Sequence, residues 1–156
     1  MIGSNSLAAA LTLALTLTMA VAGARAEDHA TKDEATAMVK KAVALVRSAG
    51  TDKAYAAFND KANVDFHQKD LYIVVYGLDG KCLSHGANAK LVGKDLSEAQ
   101  DVDGVYYVKD RVKLASAQAT FWQDYKFSNP VSKKIEPKTT YCERLDDTAV
   151  CGGIYK

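Results

Sequence analysis

The sequence predicts an α+β domain: an antiparallel sheet of five strands in consecutive hairpins, preceded by helix and interrupted once by another. Three observations lead there. Runs rich in β-branched and aromatic residues, two within 71–85 and three at 120–127, 138–145 and 148–155, are separated by turn residues. An amphipathic stretch at 35–49 precedes them. A second helical stretch, 105–117, separates the second run from the third.

The chain of 156 residues opens with MIGSNSLAAALTLALTLTMAVAGARA, an apolar run from Leu7 to Ala22 followed by small residues at Ala24 and Ala26. A signal peptidase reads that spacing, so 1–26 is expected to be an export signal and 27–156 a single mature domain, periplasmic or secreted. The alternative is a retained membrane anchor, against which Thr12, Thr16 and Thr18 interrupt the run. No second long apolar run follows, so no stable membrane span is expected after cleavage. Cleavage removes one ionisable side chain, Arg25, and leaves basic and acidic residues balanced. A neutral domain lacks the basic footprint that nucleic acid or an anionic membrane would require. A domain of this length buries roughly two thirds of its unfolded surface and needs no metal to fold.

In chain order, Ala35, Met38, Val39, Ala42, Val43, Val46 and Ala49 recur at helical spacing, with Lys40, Lys41 and Arg47 off the stripe. Thr31 and Glu34 form a capping box, and Gly50 is the stop. A short helix from Thr51 or Asp52 carries Ala54, Tyr55 and Phe58 on one side. LYIVVYGLDGKCLSH, at 71–85, then reads as a hairpin turning on Asp79-Gly80, a pair favoured where both central residues take positive φ. The loop after it is too long to be a simple connection, and Leu91, Val92 and Leu96 are expected to peg it down as a lid. The helix at 105–117 places Val108, Val112 and Ala115 on one face, and the three remaining strands follow.

The exported context asks what its three cysteines do. Cys142 and Cys151 flank ERLDDTAV symmetrically, so a hairpin turning on the two aspartates places them opposite each other on a non-hydrogen-bonded pair, the closest kind. A cross-strand disulfide with a free, buried Cys82 is expected; the alternative is three small core residues.

Enzyme signatures are weak. Alternation puts Cys82 and His85 on opposite faces of their strand, which argues against a catalytic dyad. His29, His67 and His85 are scattered, no HExxH or CxxC occurs, and no phosphate-binding glycine loop is present. No cofactor is indicated and no enzymatic activity is expected. Tyrosine is in excess, eight against one tryptophan and four phenylalanines. An apolar body with a hydroxyl that must find a partner suits a small pocket for a polar ligand, although strand composition alone also favours tyrosine.

In combination and order, YIVVYGLDGKCLSHG, KLVGKDL, FWQDYKF, PKTTYCERL and GGIYK resemble the single Cache domain, an extracytoplasmic sensory module. The resemblance covers most of the mature chain. It implies a PAS-like five-stranded antiparallel sheet behind a long N-terminal helix. It also implies a pocket for a small organic acid or similar metabolite, between the sheet and a helix/loop lid joining strands two and three. Family members usually sit between two membrane helices; this chain ends at its last strand, which suggests a free-standing exported form.

A carboxylate in such a pocket needs a cation or an array of donors. Lys138 is the first candidate and Arg111 the alternative; Tyr76, Tyr125 and Tyr141 offer hydroxyls, Trp122 an indole N–H or a wall, and His85 lies where the second strand meets the lid. Alternation separates Lys138 from Tyr141 and Trp122 from Tyr125, so not all of them can share one pocket without bulges. Gly152 and Gly153 suggest a bulge or a close approach to the backbone, including by the ligand. The expected function is non-enzymatic binding of a small carboxylate-like ligand. The alternative is an interaction protein whose sheet edge or N-terminal helix docks to a membrane-bound sensor or transporter. Redox chemistry at the cysteines is the third reading.

Overall fold

The computed structural model describes residues 29–156, and the expected signal segment at 1–26 lies outside them. Among the described residues no helix is long and apolar enough to cross a membrane. Helix α1 (Lys32–Ala49) begins on the expected capping box: Thr31 Oγ1 accepts from Glu34 N, and the Glu34 carboxylate accepts from Thr31 N. Gly50, at φ 83°, ends it, and α2 (Thr51–Asn59) follows at once. Ala35, Met38, Val39, Ala42 and Val43 form the buried stripe of α1, as their spacing predicts.

The sheet is antiparallel and has six strands: β1 (His67–Gln68), β2 (Leu71–Gly77), β3 (Cys82–His85), β4 (Thr120–Ser128), β5 (Ile135–Leu145) and β6 (Thr148–Tyr155). Their order is β1–β2–β6–β5–β4, with β3 also on β2, so the last strand runs beside β2 in the middle of the sheet. The sixth strand is the short β1, which returns to β2 through Lys69 at φ 56°. A lysine there is no turn signal, hence the expected count of five. Strand β5 starts three residues before the expected 138, running through Pro137, which pairs with Lys126 of β4 and accepts from Lys156 N (3.0 Å) just past the end of β6.

The hairpin turns after β2 and after β5 differ from each other. At 77–81 the turn holds three residues: Gly77 N donates to Lys81 O and Gly80 N to Gly77 O, both at 2.9 Å. Gly80 has positive φ and Asp79 does not, so the expected two-residue geometry is replaced by a longer loop. Between β5 and β6 the turn is Asp146–Asp147, as the cysteine spacing predicts. Cys142 faces Cys151, their Cα atoms lie 4.1 Å apart, and they are disulfide-bonded, while Cys82 is free and buried.

The sheet has a core on each face. Helices α1 and α2 cover Ile73, Val75, Val150 and Ile154 on one. Helix α3 (Tyr107–Ala117) and the lid loop cover Tyr72, Val74, Tyr76, Phe121, Tyr125 and Tyr155 on the other. Leu91 and Leu96 pack down as expected, whereas Val92 is exposed. The lid is tied to β3 by Gly93 N donating to Cys82 O (2.7 Å) and Cys82 N to Lys94 O (2.9 Å).

Strand β3 departs from simple alternation. Tyr76 pairs with Cys82 and Val75 with Ser84, which makes Leu83 an extra residue in a β-bulge. Cys82 and His85 therefore both face the lid, and the expectation of opposite faces does not hold.

Candidate functional site

Strand alternation and register assemble a cluster under the lid. Tyr125, Lys138 and Tyr155 form one rung across β4, β5 and β6, all pointing to the α3 face. Lys138 is 2% exposed. Its Nζ donates to Tyr72 Oη (2.9 Å) and Tyr155 Oη (3.3 Å) and lies 4.0 Å from the centre of the Tyr72 ring. Tyr155 Oη donates onward to Ser128 O (2.8 Å) and lies 3.2 Å from Tyr72 Oη. Gly153 makes room for this arrangement: a Cβ there would lie 2.4 Å from both Lys138 Cε and Thr140 Oγ1. The register at Gly152 and Gly153 is unbroken, so neither marks a bulge. Gly152 faces α1, where a Cβ would lie 3.1 Å from Val39 Cγ2.

Arg111, on α3, is fully buried. Its Nε donates to Gln123 Oε1 (3.0 Å), and Gln123 Nε2 donates to Tyr107 O (2.8 Å), which fixes the guanidinium from β4. The guanidinium carbon lies 5.1 and 5.2 Å from the ring centres of Tyr76 and Tyr125. Arg111 Nη2 has no hydrogen-bond partner among the described residues.

Among the described residues the cluster thus holds two buried cations and no buried carboxylate; Asp101, Asp103 and Asp124 lie at its outer edge, where they line an open pocket with Tyr125 and Lys138. Asp70 is the only buried acid among the described residues, and it bonds His29 Nδ1 (2.6 Å) and Ala30 N (2.9 Å) at the start of α1. Buried charge without a counter-charge is costly, so a cluster of this kind favours an anion. The titrating groups around it respond accordingly. Burial, with Lys138 and Arg111 nearby, drives the His85 pKa down to about 3. The ring is neutral, and its Nδ1 accepts from Asn88 N (3.1 Å). Burial raises Tyr72, Tyr76, Tyr107 and Tyr155 above the ordinary phenol range and lifts the Cys82 thiol to about 11. Tyr125 goes the other way. Burial opposes its ionisation, yet the Lys138 and Arg111 charges and the Thr140 hydroxyl together bring it to about 8.

Five of the candidate residues, Tyr76, His85, Arg111, Tyr125 and Lys138, converge on this face. Trp122 and Tyr141 do not. They lie against each other on the α1 face, with ring centres 5.2 Å apart, Lys32 Nζ 5.0 Å from the Trp122 ring and Tyr141 Oη donating to Glu143 Oε1 (2.9 Å). Alternation separates them from Tyr125 and Lys138, with no bulge to intervene. Tyr72, Tyr155, Thr140 and Gln123 join the cluster without having been singled out. Gln123 alternates with Phe121 and Tyr125 along β4, and that parity is the signal that would have found it.

An open cleft of about 540 Å³ adjoins the cluster. Tyr72, His85 and Phe127 line its inner side, Lys61, Lys69 and Lys133 stand around it, and no acidic residue lines it.

The family described as "Single Cache domain 2" matches residues 2–150. No curated protein matches the chain at a significant level. Among solved structures, a methyl-accepting chemotaxis protein from Vibrio parahaemolyticus RIMD 2210633 is similar with a TM-score of 0.69 and 22% identity, over 80% of this chain and 87% of the other. A periplasmic sensor domain of a chemotaxis protein is similar with a TM-score of 0.63 and 23% identity, over 79% and 88%. A Cache chemosensory domain, described in terms of its carboxylic acid recognition, is similar with a TM-score of 0.63 and 20% identity, over 79% and 86%.

Proposed function

From the premise that this chain belongs to the Single Cache domain 2 family, we propose that it is a periplasmic or secreted sensory module that binds a small carboxylate at the Arg111–Lys138 cluster. The carrying observation is the pair of buried cations with no buried acid beside them among the described residues, one with a guanidinium nitrogen that finds no acceptor among those residues. An anion supplies what burial withholds: it accepts from Arg111 Nη2 and offsets both charges. Tyr76 and Tyr125 wall the site, and His85, held neutral, adds no competing charge. The adjoining cleft is the approach from solvent, and its lysines draw anions toward it. That Cache domains of this fold include one described by its carboxylic acid recognition supports the same ligand class.

Residues 1–26 are the export signal in this reading; the N-terminus of the exported protein, determined by sequencing, should lie near Glu27. Ligand class is tested by thermal-shift and calorimetric screening of short mono- and dicarboxylates. A ligand at about one hundred times its Kd stabilises the fold by ~2.7 kcal/mol. Lys138→Met and Arg111→Met should each abolish that shift while the proteins remain folded by circular dichroism. A panel of carboxylates that leaves the melting temperature unchanged would sink the reading.

A further inference from the structure

Two adjacent buried cations have to be balanced in the free protein as well as in the complex, and the cluster contains one group placed to do so. Tyr125 stands opposite Lys138 on the same rung, and its ring lies 5.2 Å from the Arg111 guanidinium carbon. Its hydroxyl differs from its neighbours'. Tyr155 Oη has an acceptor in Ser128 O, and Tyr72 Oη has one in Tyr155 Oη, so both keep their protons in a chain leading away from Lys138. Tyr125 Oη instead accepts from Thr140 Oγ1 (3.5 Å).

Resting on the carboxylate reading above, we propose that Tyr125 is the resident anion of this cluster: in mildly alkaline solution its phenolate balances Arg111 and Lys138 in the free protein. An incoming carboxylate takes over that role, and the phenolate takes up one proton from solvent.

The surroundings of Tyr125 are consistent with this from every side. Helix α3 presents Arg111 and the neutral Tyr107, whose ring stacks on Tyr125 at 5.0 Å. Strand β2 presents Tyr72 and Tyr76, and β6 presents Tyr155, all held protonated by burial. Strand β5 presents Lys138 and Thr140, and β3 contributes Cys82 and His85, both uncharged. Asp101, Asp103 and Asp124 line an open pocket with Tyr125 and Lys138, and each is engaged elsewhere: Asp101 accepts from Val105 N (2.9 Å) and Lys126 N (2.9 Å), Asp103 pairs with Lys126, and Asp124 pairs with Lys156 and accepts from Thr139 Oγ1. Tyr125 is then the group through which the cluster trades a proton for an anion, and it is the phenol whose pKa falls, to about 8, while those of the tyrosines around it rise.

The test is a tyrosinate absorbance titration, first without ligand and then with acetate as the probe. Wild-type protein should show one tyrosine ionising near pH 8, and Tyr125→Phe should lose that step. Because Tyr125→Phe leaves two cations unbalanced and can fail to fold, Arg111→Gln provides a second reading: removing one charge should move the step to higher pH. Acetate should also move the step upward in wild type, and acetate affinity measured calorimetrically should fall about tenfold per pH unit above it. A wild-type titration with no early step overturns the proposal, as does a step that survives Tyr125→Phe and ignores Arg111→Gln, or one that bound acetate leaves in place. An early step that behaves as expected in both variants, with no binding in calorimetry of acetate or of any member of the mono- and dicarboxylate panel, upholds the resident charge and overturns the carboxylate reading instead.

Discussion

Replacing Gly153 by alanine adds one methyl group, touches no charge, and should disable the site. Gly153 lies on β6 in unbroken register, with no positive φ to strain a side chain. The new Cβ would sit 2.4 Å from Lys138 Cε and from Thr140 Oγ1, about 1 Å short of ordinary van der Waals contact. Lys138 Cε belongs to a flexible side chain and can withdraw, but Thr140 Oγ1 can give way only by rotation about χ1, so the steric cost is about 1–3 kcal/mol. Withdrawal has a second effect: the ammonium cannot keep both the 2.9 Å bond to Tyr72 and the 3.3 Å bond to Tyr155. Losing one bond of a charged group is worth about 1.5–3 kcal/mol, equivalent to at least a tenfold loss of anion affinity if Lys138 holds the ligand. The assay pairs thermal melts with carboxylate titration of Gly153→Ala. Gly152→Ala is the control, since it presses on Val39 of α1 and leaves Lys138 alone. A Gly153→Ala protein that binds like wild type would refute the argument, because the ammonium's position would then not matter.

Three further outcomes are expected. Changing Cys142 and Cys151 together to alanine opens a crosslink of sequence separation 9; the loop-entropy relation predicts a loss of ~2.6 kcal/mol, about 10 °C in Tm for a domain of this size, and a loss under about 1 kcal/mol in denaturant melts would contradict it. His85 is neutral when folded and basic when unfolded, so the unfolded chain binds the extra proton below the unfolded pKa of about 6.5. Stability is therefore retained above that pH and declines as acid is added toward pH 3, by up to ~1.4 kcal/mol per pH unit; His85→Asn should flatten that slope in denaturant melts across the range. Trp122→Ala should leave carboxylate binding intact in calorimetry, because Trp122 packs on Tyr141 across the sheet from Arg111.

Legibility in the sequence followed the range of the interaction. The Cys142–Cys151 hairpin could be read because symmetric spacing about two aspartates needs only local geometry, and the α1 stripe because its period is local too. Strand β1 could not, since its turn rests on Lys69 in a conformation lysine seldom adopts. Lys138 and Arg111 were named because a carboxylate in a pocket needs a cation, but the reason they matter is non-local. Residues 72, 111, 138 and 155 meet only once the register of three strands and the docking of a helix are set. Gln123 was missed because an amide on a strand looks the same whether it faces water or a buried guanidinium. Trp122 and Tyr141 were included for their chemistry, although alternation had already assigned them to the other face.

The bulge at Leu83 makes the composition of the site a matter of parity. Every other strand delivers its residues to the lid by counting in twos; β3 counts in threes once, and so brings Cys82 and His85 to one side while Ser84 reaches back to Asn59 on α2. Its content is therefore sensitive to strand geometry as well as residue identity. Removing Leu83 would leave Cys82 and His85 two positions apart and on the same side by plain alternation, whereas regularising the strand with all four residues kept would turn the imidazole out of the cluster, with every residue that touches the cations unchanged.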